Sequence, residues 1–218
     1  MRGRMSELSP APEIYVLAGT NGAGKSSVGG SRFLKAGLTY FNPDIVTKGI
    51  LAKNSGMSLL EANSKAWHQG TRMLQRAIDE RLDFAFETTL GGNTITRMLG
   101  SALSAGIEVR IWYVGLNSPE LHIARVRARV AAGGHDIPED KIRERYNQSR
   151  RNLIQLLPRL TELRVFDNSA DTDPRTGVEP EPHLILYMDH QKIVDACDLT
   201  TAPEWTKAIL VEAYRLQN

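Results

Sequence analysis

"IYVLAGTNGAGKSS", residues 14–27, is an apolar run that breaks into glycines and closes on Gly-Lys-Ser. Its first part, Ile14 to Ala18, reads as a short buried strand. The eight residues Gly19-Thr20-Asn21-Gly22-Ala23-Gly24-Lys25-Ser26 fit the pattern G-x-x-x-x-G-K-[ST], with Ser27 directly behind. Glycines at this spacing let the backbone wrap tightly and turn successive N–H groups toward phosphate oxygens. A helix that begins near Gly24 and fades by Gly37 presents its positive end to the same anion. Lys25 then reaches the β- and γ-phosphates, and Ser26 is the expected Mg²⁺ ligand. The expectation is a nucleotide cradle running from Gly19 to Ser27.

Strand-like and helix-like segments alternate outward from the cradle. "LTYFN" reads as a second strand, Phe84 to Thr89 as a third, Ile107 to Leu116 as a fourth and "LRVFDN" as a fifth. Helices are expected from Pro43 to about Lys53, from Ser58 to about Leu82, over Thr94–Ala105, from Ser118 to Gly133-Gly134, and from Pro138 to about Leu157. "HLILYM" and "QKIVDA" read as a terminal hairpin, followed by a closing helix over Pro203–Leu216. The alternation implies an α/β P-loop fold of the nucleotide-kinase kind. It is a three-layer sandwich around a mostly parallel five-stranded sheet, with a helical lid and a C-terminal hairpin plus helix. Residues 1–12 read as a disordered lead-in, with Met5 a candidate natural start, and 13–218 as a single domain in which 118–157 forms the lid. Ser169 to Pro182, rich in Pro, Asp and Thr, reads as an exposed loop.

Composition narrows the function classes. With 27 basic against 25 acidic residues the net charge is +2, which argues against a general nucleic-acid binder. The single cysteine, Cys197, excludes a disulfide framework and fits a reducing cytoplasm. No apolar stretch approaches the roughly 20 residues that span a bilayer. His68, His122, His183 and His190 lack metal-ligand spacing.

A glycine loop of this kind serves kinases, switches and motors alike. The N-K-x-D guanine signature of switches is missing, and "IWYVGLN" ends without the acid that motors place after a long strand. Two acids stand at other strand ends: Asp44 in "FNPD" and Glu87 in "FETT". The carboxyl ends of parallel strands surround the ligand crevice, so both acids are expected near the γ-phosphate. Asp44 suits the base that accepts a hydroxyl proton. Glu87 suits substrate binding or an outer-shell metal role, and Thr88 and Thr89 offer hydroxyls to substrate. Arg125 and Arg129 are four residues apart on one helical face, expected to close over the transferring phosphoryl group. His135, behind the double-glycine corner, is a further substrate-binding candidate. From Ser118 to Leu153, eight basic side chains stand against five acidic ones.

Together "LAGTNGAGKSS", "FNPD", "FETTL", "RVRARVAAGGHDIPEDKIRERY" and "FDNS" resemble the zeta toxin family, in its compact bacterial branch. The similarity runs from about Ile14 to Ser169. The resemblance implies an ATP- and Mg²⁺-dependent phosphotransferase acting on a hydroxyl of a sugar nucleotide such as UDP-N-acetylglucosamine, with a small antitoxin protein as partner. It also implies that Asp44 is the base, that Glu87 binds sugar, and that Arg125, then Arg129, contacts the phosphates. Larger members often carry an arginine where this chain has His135. Two other readings stay open from the residues alone: a polynucleotide or RNA-end kinase, supported by the basic stretch Arg143 to Arg151, and a nucleotide-binding regulatory module without transfer chemistry.

Overall fold

The computed structural model describes residues 11–30, 33, 40–170 and 181–218. Most of the expected lead-in, the later part of the helix behind the glycine loop, Leu38 and Thr39 of the expected second strand, and 171–180 of the expected exposed loop lie outside the described residues.

Six strands form one sheet in the order β2-β1-β3-β4-β5-β6. They are β1 (Glu13–Ala18), β2 (Phe84–Thr88), β3 (Glu108–Gly115), β4 (Glu162–Asp167), β5 (His183–Asp189) and β6 (Lys192–Ala196). The first four run parallel, and β5 and β6 are antiparallel additions at the β4 edge. The hairpin therefore extends the sheet instead of standing apart from it, and the strand count is six. Its two-residue turn, His190-Gln191, holds both residues at positive φ, which matches the twist of the flanking strands. Among the described residues, the expected second strand contributes a parallel bridge, Phe41 to Phe86, on the outer side of β2. There Phe41 N–H donates to the Ala85 carbonyl at 2.8 Å, and Glu87 N–H donates to the Phe41 carbonyl at 2.9 Å.

The helices follow their sequence signals. The described part of α1, Ser26–Gly30, is a π-helical turn behind the glycine loop. Helix α2 (Pro43–Lys53) has Pro43 in its first turn and Asn42 as its cap. Helix α3 (Leu59–Asp79) opens with a reciprocal capping box between Ser58 and Glu61. Helices α4 (Asn93–Ser104), α5 (Pro119–Ala131), α6 (Glu139–Leu156) and α7 (Glu204–Arg215) complete the set. Ser118 caps α5 by accepting from Leu121 N–H at 3.2 Å.

One sheet face packs Ile14, Val16, Ile111 and Val165 against Leu99 of α4, Leu153 of α6 and Ile209 of α7. The opposite face carries Leu17 and Val114 against Val28 and Phe33 behind the glycine loop. Helices α5 and α6 share a small separate cluster of Ile123, Val126 and Ile142, which ties the two into a unit. The register sets Ala18, the last residue before the glycine loop, beside both Thr88 of β2 and Tyr113 of β3. The glycine loop, the "FETT" end and the Asn42-Asp44 turn consequently meet at one edge of the sheet.

Candidate active site

The glycine loop leaves β1 through a backbone that a side chain would block. Gly19 has φ +142, and a Cβ there would stand 2.1 Å from the Val114 carbonyl oxygen. The chain can thus lie flat on the end of β3 before turning into its cradle. Three neighbours brace that turn from outside. Asn168 donates its side-chain amide to the Ala23 carbonyl at 2.9 Å. His122 of α5 donates Nδ1–H to the Asn21 carbonyl at 2.8 Å. Arg145 of α6 donates to the Asn21 side-chain oxygen at 2.8 Å.

His122 is fully buried, and burial pulls its imidazole down to about 4, helped by the nearby charges of Lys25, Arg125 and Arg150. It therefore braces the loop as a neutral ring. Unfolding exposes the ring and lets it take a proton below its ordinary 6.5, so this contribution to stability is complete above that value. It is lost progressively as pH falls toward 4, by about 3 kcal/mol in all. Urea unfolding at pH 7 and pH 4.5 is expected to show the loss, and a His122→Gln variant to show a flatter profile. Equal slopes in the two proteins would remove His122 as the cause.

Glu87, at the end of β2, is the hub of the site. It accepts from Ser26 Oγ and from Asn42 Nδ2, each at 3.0 Å. Its other oxygen lies 3.5 Å from Lys25 Nζ. Lysine and glutamate are 7% and 9% exposed, so this is a buried ion pair. Lys25 also reaches the Thr20 carbonyl at 3.5 Å, folding back over its own loop. The Asn42 side chain works in two directions. Its oxygen accepts from the N–H groups of Asp44 and Ile45 at 2.9 and 3.3 Å, capping α2, while its amide holds Glu87. One asparagine therefore fixes Asp44 relative to the cradle. Sequence reasoning took Asn42 only as the end of a strand. The signal that identifies it is its position directly before a Pro at N1, where a side-chain cap is favoured.

A cavity of about 520 Å³ opens beside this hub. Asn21, Asp44, Glu87, Thr88, Thr89 and His135 all line it. The proposed base, the third-strand acid, both threonines and the corner histidine are thus brought together with one residue of the cradle. Thr88 and Thr89 also cap the turn behind them, accepting from Leu90 N–H at 3.0 Å and Gly91 N–H at 3.4 Å. Trp67 of α3 stands on the far wall, about half exposed.

The two expected lid arginines hold backbone carbonyls and lie outside this cavity, as does Lys25 of the cradle. Arg125 donates to the Ala170 carbonyl at 3.3 Å, beyond the end of β4. Arg129 donates to the carbonyl of His135 at 3.2 Å. Neither lines the cavity, whereas Arg145, with Lys141 one turn before it, does. Spacing on α6 carries that signal, since residues 141 and 145 share a face. The helix holds several other basic residues, however, and only its packing selects the face. Among the described residues no group of His, Cys, Asp and Glu is arranged to hold a metal by itself, and no helix is long and apolar enough to cross a membrane.

Comparison with known proteins agrees with this fold. The family model described as Zeta toxin matches residues 3–173. An uncharacterized protein of Haemophilus influenzae is 34% identical over 133 residues, covering 59% of this chain and 88% of its own. A crystal structure of AvrRxo1-ORF1:-ORF2 with ATP superposes with a TM-score of 0.64 at 16% identity, over 92% of this chain; the chain spans 62% of that one. The PezAT chromosomal toxin-antitoxin system of Streptococcus pneumoniae gives a TM-score of 0.54 at 15% identity, over 73% of this chain and 68% of its own.

Proposed function

The chain belongs to the zeta toxin family of phosphotransferases, and from that premise we propose that it is an ATP-dependent small-molecule kinase. In this reading it transfers the γ-phosphate to a hydroxyl of a sugar nucleotide such as UDP-N-acetylglucosamine. The observation that carries it is the shared cavity: the Asp44 carboxylate and the cradle residue Asn21 line one space, with Glu87 joining that space to Lys25 and Ser26.

The triphosphate lies against the main-chain amides from Gly19 to Ser27, and Lys25 leaves Glu87 for the β- and γ-phosphates. Asp44 takes the acceptor's hydroxyl proton as that oxygen bonds to the γ-phosphorus. The bond from this phosphorus to the β–γ bridging oxygen breaks, and ADP leaves. Ser26 Oγ and the Glu87 carboxylate, 3.0 Å apart, are hard oxygen donors of the kind that suit Mg²⁺. Ser26 would hold the ion with Glu87 in its outer shell, where its charge would neutralise that of the phosphates. Arg145, already on Asn21, joins Arg125 and Arg129 as a lid arginine for the transferred group, and Thr88, Thr89 and His135 surround the acceptor. A small antitoxin covering the site belongs to the same proposal; the likeness to PezAT supports it only at the level of the fold.

The test is incubation with ATP, Mg²⁺ and a panel of UDP-sugars, nucleosides and short oligonucleotides, read by mass spectrometry. A gain of one phosphate on UDP-N-acetylglucosamine is the expected result. A phosphorylated oligonucleotide end would move the assignment to an RNA-end kinase, and ATP hydrolysis with no product would leave only a nucleotide-binding module.

A further inference from the structure

We propose that His135 receives the acceptor's proton from Asp44, so that the lid itself resets the base after each transfer. The inference rests on the kinase reading above and adds a second proton step to it. His135 Nε2 stands 3.7 Å from Asp44 Oδ1, and no other ion-pair partner of that carboxylate is found among the described residues. The imidazole is 15% exposed and the carboxylate 41%, so the ring covers one side of Asp44 while the other stays open to the cavity.

The corner before His135 is built to aim it. Gly134 N–H donates to the Arg129 carbonyl at 2.9 Å, folding the chain back over the last turn of α5. A Cβ at position 134 would lie 2.8 Å from Arg129 Cγ and 2.9 Å from its carbonyl oxygen, so only glycine fits. Arg129 then holds the His135 carbonyl at 3.2 Å. With its backbone pinned to α5, the ring projects across the cavity to the N-terminus of α2. The other charged groups facing this space are Glu87 from β2 and Lys141, Glu144 and Arg145 from α6. Each has a partner of its own: Lys25 for Glu87, Glu144 for Lys141, and Asn21 for Arg145.

The proton balance follows. During transfer the acceptor O–H bond breaks and an Asp44 O–H bond forms, leaving the carboxyl neutral. That bond then breaks as His135 Nε2–H forms, regenerating carboxylate beside imidazolium. A neutral imidazole is a stronger base than a carboxylate, so the proton passes downhill. The 3.7 Å separation exceeds the reach of direct transfer, and contacts of this kind shorten in the substrate complex. The imidazolium, itself partly exposed, then gives its proton to solvent.

The experiment uses the full chain with ATP, Mg²⁺ and UDP-N-acetylglucosamine. His135→Ala is expected to lower kcat by at least about tenfold, the low side of what an acid–base group contributes, with KM for ATP unchanged and only a smaller rise in acceptor KM, since the ring also lines the cavity. Added imidazole should restore that variant and leave Asp44→Asn dead. His135→Gln, which keeps the bulk and polarity, should stay slow and should not respond to imidazole. A rise in acceptor KM at unchanged kcat would overturn the proposal in favour of a substrate contact. Recovery by His135→Gln would overturn it in favour of simple packing. Full activity in Asp44→Asn would overturn it by removing Asp44 as the base, whereas no phosphorylated product from the parent protein would overturn the kinase reading beneath it. A readout independent of the acceptor is the His135 ring resonance in nuclear magnetic resonance, expected to move on Asp44→Asn; an unmoved resonance would also refute the pairing.

Discussion

Asp44→Asn is expected to reduce kcat for phosphoryl transfer by about a thousandfold, within the range by which positioned acid–base groups accelerate reactions. The change is nearly isosteric. Asn42 caps α2 through the backbone N–H of residue 44, which the substitution leaves in place. The lost first-turn charge costs the helix only about 0.3–1 kcal/mol, so the variant should fold. ATP affinity, measured by calorimetry, should be unchanged, because the cradle and Lys25 are untouched. Single-turnover transfer should be slow even at saturating acceptor, which separates a missing base from weakened binding. An unchanged kcat would reduce Asp44 to an ordinary acid in the first turn of a helix.

The second large effect concerns stability in the absence of nucleotide. Lys25 and Glu87 are both nearly inaccessible, and each carries a full charge that the other compensates. Glu87→Ala removes one member of the pair and leaves the ammonium buried against the Thr20 carbonyl alone. Breaking a buried pair from one side costs about 3–5 kcal/mol, a fall in Tm of roughly 6–20 °C for a chain of this size. Removing both charges in Lys25→Met with Glu87→Leu should recover most of the loss, since no uncompensated charge remains. ATP should stabilise Glu87→Ala more than the parent protein, because its phosphates supply the missing anion. A loss below about 1 kcal/mol would mean that water reaches Lys25 freely and that Glu87 is not its counter-ion.

The pair has a functional consequence. With no nucleotide present, Glu87 occupies the ammonium that the phosphates will need, and it also holds Ser26 and Asn42. Under the proposed function, binding triphosphate would exchange one anion for another at Lys25. Glu87 would then be free for the metal and the acceptor, the two roles proposed for it.

Much of this was legible before any coordinates. The cradle is encoded within eight consecutive residues, because backbone sterics at glycine are local and a lysine and serine at fixed offsets inherit their directions from the turn. The helix starts at Ser58 and Ser118 are similarly local, each a hydroxyl with an acid or proline at the right offset. The parallel arrangement followed from alternating strand and helix patterns. Two acids at strand ends could be placed at the glycine-loop end of the sheet for the same reason.

What the chain order alone could not settle was which polar side chains meet. Asn42 and Glu87 are 45 residues apart, and Arg145 and Asn21 are 124 apart. Their contacts depend on strand register and on how far each helix is rotated about its own axis. Arg125 and Arg129 share a helical face as expected, yet α5 turns them onto backbone carbonyls at Ala170 and His135, while α6 turns Arg145 into the cavity. The sequence by itself determined the phosphate cradle and the layer order, because short-range sterics and hydrophobic periodicity act within a few residues. Only the tertiary structure decided the partners of Lys25, Asp44 and the lid cations, because packing against distant elements fixes the rotation of each helix and so chooses among charged residues that periodicity leaves equivalent.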